Sequence, residues 1–137
     1  MRAAIKAVAG AAALAFVLAG CGSGAADQST PEGAMKGWLQ AMADSKFEDA
    51  CKISLDEDRV PFQEGTDRYT ECVAGFGTIS NKFGADRFQQ MLDLEPAREG
   101  DGDRVDFSWN PDAGNVVALD EMRVRKIDDK WYVEDAR

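Results

Sequence analysis

Few residues in this chain are equipped for chemistry. It carries three cysteines, Cys21, Cys51 and Cys72, and no histidine among its 137 residues. Without a histidine no His–Asp dyad can form, and with Cys51 and Cys72 expected to be oxidised to each other the catalytic nucleophiles narrow to Ser, Thr or Lys, which no motif here supports. The thiols remain. Cys21 stands directly after Leu18, Ala19 and Gly20 at the end of an apolar run, and its thiol is a soft nucleophile suited to forming a thioether. Cys51 and Cys72 are too far apart for a CxxC redox motif, and no histidine is present to complete a zinc site. In an exported chain these two are expected to form a disulfide, which would stabilise the fold by about 3 kcal/mol through loop closure. Two free buried thiols are the alternative.

Export is read from the N-terminus. Arg2 and Lys6 precede an apolar run from Ala7 to Ala19 that contains no acid, the pattern of a secretory signal. The run is shorter than the roughly 20 apolar residues a membrane-spanning helix needs. An ordinary signal closes on an Ala-x-Ala-like site, whereas here a cysteine follows at once. The tetrad Leu18, Ala19, Gly20, Cys21 resembles a bacterial lipobox. That resemblance implies that residues 1–20 are a lipoprotein signal peptide and that Cys21 becomes the first mature residue, its thiol joined to a diacylglyceryl group. One acyl chain holds a protein only marginally, and two anchor it stably. The implied location is the extracytoplasmic face of the cell membrane. An unlipidated cysteine after a generic signal is the alternative.

Removing residues 1–20 takes away Arg2 and Lys6 and no acid, which moves the net charge from −9 to −11. Such a chain is repelled by nucleic-acid phosphates and by anionic headgroups, so no nucleic-acid partner is expected and membrane attachment has to be covalent. The length suits one domain with one core. Three regions follow: the signal at 1–20, a flexible Gly-, Ala- and Ser-rich tether at 21–30, and a single domain at 31–137.

The domain opens with helices. Ser29 with Glu32 makes a capping box, while Thr30 before Pro31 offers a competing start. Met35, Trp38, Leu39 and Met42 then fall on one helical face. Ser45 and Glu48 form a second capping box for a short helix carrying Phe47, Ala50 and Cys51, ending near Ile53 or Ser54. Leu55–Gly65 reads as a loop from its charges and breakers. Thr66 can cap a third helix in which Tyr69, Cys72, Val73 and Phe76 share a face, so that Cys72 can meet Cys51. Beyond Gly75 and Gly77 the pattern weakens, and a helical turn around Asp86–Gln90 leading into a strand is expected.

The period then shifts toward two, with Val105, Phe107 and Trp109 alternating against Asp106 and Ser108. Turns are expected at Gly100–Asp103, Asn110–Asn115 and Asp128–Asp129. The last strands should run about Val116–Ile127 and Trp131–Glu134. In the former, Val117 and Leu119 are odd but Met122 and Val124 even, which predicts a bulge near Asp120 or Glu121. Helices followed by an antiparallel meander predict an α+β fold. Asp101, Asp103 and Asp106 read as a solvated acidic turn, since they lack the spacing of a calcium loop. No metal or cofactor is expected.

An N-terminal helix with a Trp-Leu pair, a Phe-Glu-x-Ala-Cys helix, and an end strand Lys-Trp-Tyr-Val-Glu-Asp resemble small actinobacterial lipoproteins of the NTF2-like superfamily. This resemblance implies N-terminal helices packed on a curved antiparallel sheet that wraps a cone-shaped pocket. It also implies either a non-catalytic binding or interaction module or a pocket enzyme. Trp38, Tyr69, Trp109 and Trp131 are the candidate pocket residues, with core packing the expectation for most of them. The absence of histidine favours a module that takes a small apolar ligand or an envelope protein. The alternative is an enzyme of isomerase or dehydratase type, with a buried carboxylate as base and Tyr69 or Tyr132 as donor.

Overall fold

The computed structural model describes residues 26–109 and 119–137. Four helices precede four strands: α1 (Pro31–Ala43), α2 (Phe47–Lys52), α3 (Asp67–Phe83), α4 (Ala85–Asp93), β1 (Ala97–Glu99), β2 (Arg104–Ser108), β3 (Glu121–Ile127) and β4 (Lys130–Ala136). The strands form one antiparallel sheet in sequence order. The fold is α+β. None of the described helices is long and apolar enough to cross a membrane.

Local chemistry starts each helix. Thr30 caps α1 by accepting from the Gly33 amide at 3.0 Å, with Pro31 at the first helical position. The competing Ser29–Glu32 box does not form, because the Ser29 hydroxyl donates to Asp27 and Glu32 pairs with Arg98. The box expected at Ser45 and Glu48 is overturned for a related reason. Ser45 has a φ of 57° and belongs to the end of α1, where the Lys46 amide donates to Ala41 O at 2.8 Å and the Ser45 amide to Met42 O at 3.2 Å. Those two bonds satisfy two of the orphan carbonyls of α1, at Ala41 and Met42. Lys46 takes the capping position of α2, with no side-chain bond. Thr66 does cap α3, accepting from the Tyr69 amide at 3.2 Å.

The turn-then-strand expected after Gly77 is also corrected. α3 runs through both glycines to Phe83, Gly84 breaks the chain with a φ of 81°, and α4 is a full helix. Phe88 and Met91 carry its buried stripe, at a spacing the surrounding polar residues obscure.

The core lies between α1, α4 and the inner face of the sheet. Met35, Trp38, Leu39 and Met42 are all buried, against Phe88 and Met91 of α4 and Val105, Phe107, Met122, Val124, Trp131 and Val133 of the strands. Outward positions alternate with these, and Asp106 on the outer face is held by Arg123 at 2.7 Å. Asp128 and Asp129, with φ of 48° and 64°, make the two-residue turn from β3 to β4. Positive φ at both central positions matches a type I′ hairpin turn. The expected bulge lies elsewhere: Arg123 faces Asp135 and Val124 faces Val133, so the extra residue is Glu134 on β4. Leu119 is buried but precedes β3, so the odd-to-even slip marks the strand start. The turn expected at Asn110–Asn115 and the strand residues Val116 and Val117 lie outside the described residues.

Ala26–Thr30 departs from the free tether expected over 21–30. The Trp131 amide donates to Gln28 O at 2.8 Å, and Gln28 Nε2 donates to Trp131 O at 2.9 Å. This strap crosses α1 at Gly33 and Gly37. A Cβ on Gly33 would fall 1.9 Å from Asp27 O, and one on Gly37 2.3 Å from the Ala26 Cβ. Two glycines four residues apart lie on one helical face, so they open the groove that seats the strap. Farther along β4, the Val133 amide donates to Ile53 O and the Leu55 amide to Val133 O. The outer edge of β4 is thereby covered, which removes an unpaired edge.

Candidate functional site

α2 and α3 form an arm beside this core. Cys51 and Cys72 are joined in a disulfide, their Cα atoms 6.1 Å apart, within the usual span of such a bridge. Cys51 is fully buried and Cys72 is half-buried. Tyr69, one turn before Cys72, donates from its hydroxyl to Glu48 O at 3.3 Å. Burial pushes the Tyr69 phenol up from its ordinary value, although Lys52 opposes the shift. It therefore stays a protonated donor at neutral pH.

At the start of the arm, Asp56 accepts from the amides of Asp58 and Val60 at 2.9 and 3.0 Å and from Arg68 at 2.5 Å. The Val60 amide and the Arg68 guanidinium hold the Asp56 carboxyl below the usual carboxylate range, against the opposing effect of burial. Arg68 also binds Asp58 at 2.8 Å. Within the loop expected over Leu55–Gly65, Asp56 organises the chain leading into α3.

Between α3 and β4 lies a cleft of about 310 Å³. Cys72, Gly75, Phe76 and Ile79 form its α3 side, Val133, Glu134, Asp135 and Ala136 its β4 side, and Trp38, Ser54, Leu55, Phe62 and Leu119 the rest. Its volume is at the small end of small-molecule sites, and its walls are mainly apolar, as such sites are. Trp38 meets Phe76 edge-to-face, with ring centroids 5.5 Å apart. The Trp38 indole N–H is buried and has no acceptor among the described residues. Ser54 is buried and donates to Ala50 O at 2.7 Å, which leaves its oxygen as an acceptor only. The carboxylate of Glu134 is held by Arg59 at 2.9 Å and Arg125 at 3.1 Å.

Of the four candidate pocket residues, the structure brings only Trp38 to this cleft, while burying it in the core. Trp109 is buried and donates to Met91 O at 2.9 Å. Trp131 is buried in the core between sheet and helices. Tyr69 donates its hydroxyl to Glu48 O of α2 and does not line the cleft. Sequence reasoning named none of the other lining residues as a pocket candidate, Phe62, Gly75, Ile79 and Leu119 among them. Phe62 follows Pro61 in an apparent surface loop, and Gly75 looked like a helix breaker; neither carries a local signal for a binding wall.

A second, more polar hollow adjoins the first and shares Phe62 and Cys72 with it; Asp56, Glu57, Arg68 and Glu71 complete its lining. Among the described residues no three His, Cys, Asp or Glu side chains group as a metal site. Comparison with protein-family models, with curated proteins and with solved structures finds no match to this chain.

Proposed function

We propose that this protein is an extracytoplasmic lipoprotein of NTF2-like type, held at the membrane through Cys21, and that it works as a non-catalytic binding module. The observation that carries the binding half is the apolar cleft between α3 and β4, large enough for a small molecule. The anchoring half rests on Leu18, Ala19, Gly20 and Cys21. The docked strap supports it further: from Ala26 to Cys21 the chain reaches at most about 18 Å, so an acyl anchor on Cys21 would hold the domain close to the bilayer. A pocket enzyme has less support, because Glu134 is taken by two guanidiniums and neither Tyr69 nor Tyr132 lines the cleft.

Two measurements test the reading. Expressed in its native host, Cys21→Ala should be released from the membrane fraction; membrane retention of that variant, with no lipid mass on the wild-type Cys21, would sink the anchor. The neutral apolar dye Nile red should brighten on the wild-type protein, and Ile79→Glu should abolish the effect. A wild-type protein that leaves the dye dark removes the cleft as a binding site.

A further inference from the structure

The hydrogen-bonding groups in the cleft wall narrow the class of ligand. Its two carboxylates are engaged within the protein: Glu134 by Arg59 and Arg125, Asp135 by Arg137 at 3.5 Å. The wall therefore selects neither a cation nor an anion by charge. An ionised ligand would give up its hydration there with no free opposite charge to replace it. A neutral occupant fits better.

Two lining side chains carry a hydrogen-bond donor, Trp38 and Ser54, since Cys72 is held in the disulfide. Ser54 commits its proton to Ala50 O at 2.7 Å. Trp38 commits its proton to nothing: the residue is 1 % exposed, and its indole N–H finds no acceptor among the described residues. Trp109 shows the ordinary arrangement, with its N–H on Met91 O at 2.9 Å. The rings beside Trp38, Phe76 and Phe88, stand edge-to-face to it at 5.5 and 5.9 Å, and an aromatic ring is a poor substitute for an oxygen acceptor. A buried donor without a partner is uncommon and costs stability. An oxygen brought by a ligand would remove that cost.

Phe76 is the part of the wall that can yield. It lines the cleft, packs on the indole and belongs to α3, which buries only Tyr69 and Ser80. A shift of its ring would admit a ligand to the indole without disturbing the packed layer.

We propose that the cleft binds a neutral, mainly apolar molecule that carries a carbonyl oxygen, as a ketone or ester does, and that this oxygen accepts the Trp38 N–H. The proposal rests on the cleft being the binding site proposed above. It is tested on the full chain by displacement of Nile red with three naphthalenes of nearly one shape: 2-acetylnaphthalene, its hydrocarbon isostere 2-isopropenylnaphthalene, and 2-naphthoate. Referred to each neutral probe's own partition from water into hexadecane, the ketone should exceed the alkene by about tenfold or more. The naphthoate should bind most weakly. In a proton–nitrogen spectrum the Trp38 indole signal should move downfield with the ketone, well beyond any movement with the alkene, while the Trp109 signal stays. Trp38→Phe keeps a ring and removes the donor, so it should erase the ketone's excess and still bind the alkene. Should that variant fail to fold, the wild-type indole signal decides.

A ketone and an alkene that both follow their partition, with the Trp38 signal unmoved, overturn the carbonyl contact and leave the apolar site standing. Tightest binding by the naphthoate overturns the neutral class. A protein that takes up neither the dye nor any of the three probes overturns the cleft itself as a binding site.

Discussion

In the layer formed by α1, α4 and the sheet, Trp38, Leu39, Met42, Phe88, Phe107 and Val124 are each no more than 2 % exposed. In the arm beside it, α3 is the longest of the described helices, yet only Tyr69 and Ser80 of its seventeen residues are buried. The two regions sit side by side and differ in what holds them. Close-packed apolar surface holds the first. A covalent bridge, a threonine cap, the Tyr69–Glu48 hydrogen bond and the Asp56–Arg68–Asp58 cluster hold the second. A helix that buries little of itself leaves apolar surface beside it uncovered, and the cleft is that surface. The binding site therefore occupies the boundary between a region stable through packing and one stable through discrete ties, where local opening costs least.

The largest effect should come from the packed layer. Phe107→Ala removes a buried ring from the sheet's inner face and should cost about 3–5 kcal/mol, measured as a lower denaturant midpoint for the whole domain. A loss confined to the arm would break the comparison.

Next comes the bridge. The Cys51→Ala/Cys72→Ala double variant should lose about 3 kcal/mol in the chain-entropy view, for a bridge spanning 21 residues. Its hydrogen exchange should quicken across α3 while β2, β3 and β4 keep their protection. Uniform quickening would mean that the arm and the layer unfold as one unit. Peptide mapping without reductant should find the two cysteines linked in the wild type.

The smallest effect is set by pH. The folded Asp56 carboxyl is held below its unfolded value, so its contribution is present above the unfolded pKa, near 4, and is lost as the pH falls through the lower folded value. Acidification below about pH 4 should therefore loosen the start of α3 before the sheet. Asp56→Asn should remove that step from a hydrogen-exchange profile against pH. An unchanged profile would show that the loop is ordered without this carboxylate.

The apolar periods of α1, the caps at Thr30 and Thr66, and the alternation of Val105 and Phe107 were legible because each is a local pattern with a local physical cause, while the pairing of Cys51 with Cys72 followed from cysteine count in an exported chain. Ser45 misled because two helix ends competed for one residue, and the tight return from α1 to α2 decided for the αL cap. α4 was obscured because its stripe is only Phe88 and Met91, too brief to stand out from the polar residues around it. The bulge was misplaced because residue parity in β3 alone cannot show that its partner strand carries the extra residue, Glu134.

By itself, then, the sequence determined that helices precede an antiparallel meander, the acidic balance, the lack of any histidine and the residues Leu18, Ala19, Gly20 and Cys21 on which the anchoring proposal stands. Only the tertiary structure decided that Trp38 meets a cleft while Tyr69, Trp109 and Trp131 do not, and that Gly33 and Gly37 seat a strap. Spacing along a chain sets which face of an element a residue occupies. What that face meets depends on contacts between segments far apart in sequence, such as Gln28 with Trp131 and Phe76 with Trp38, and no local pattern carries them.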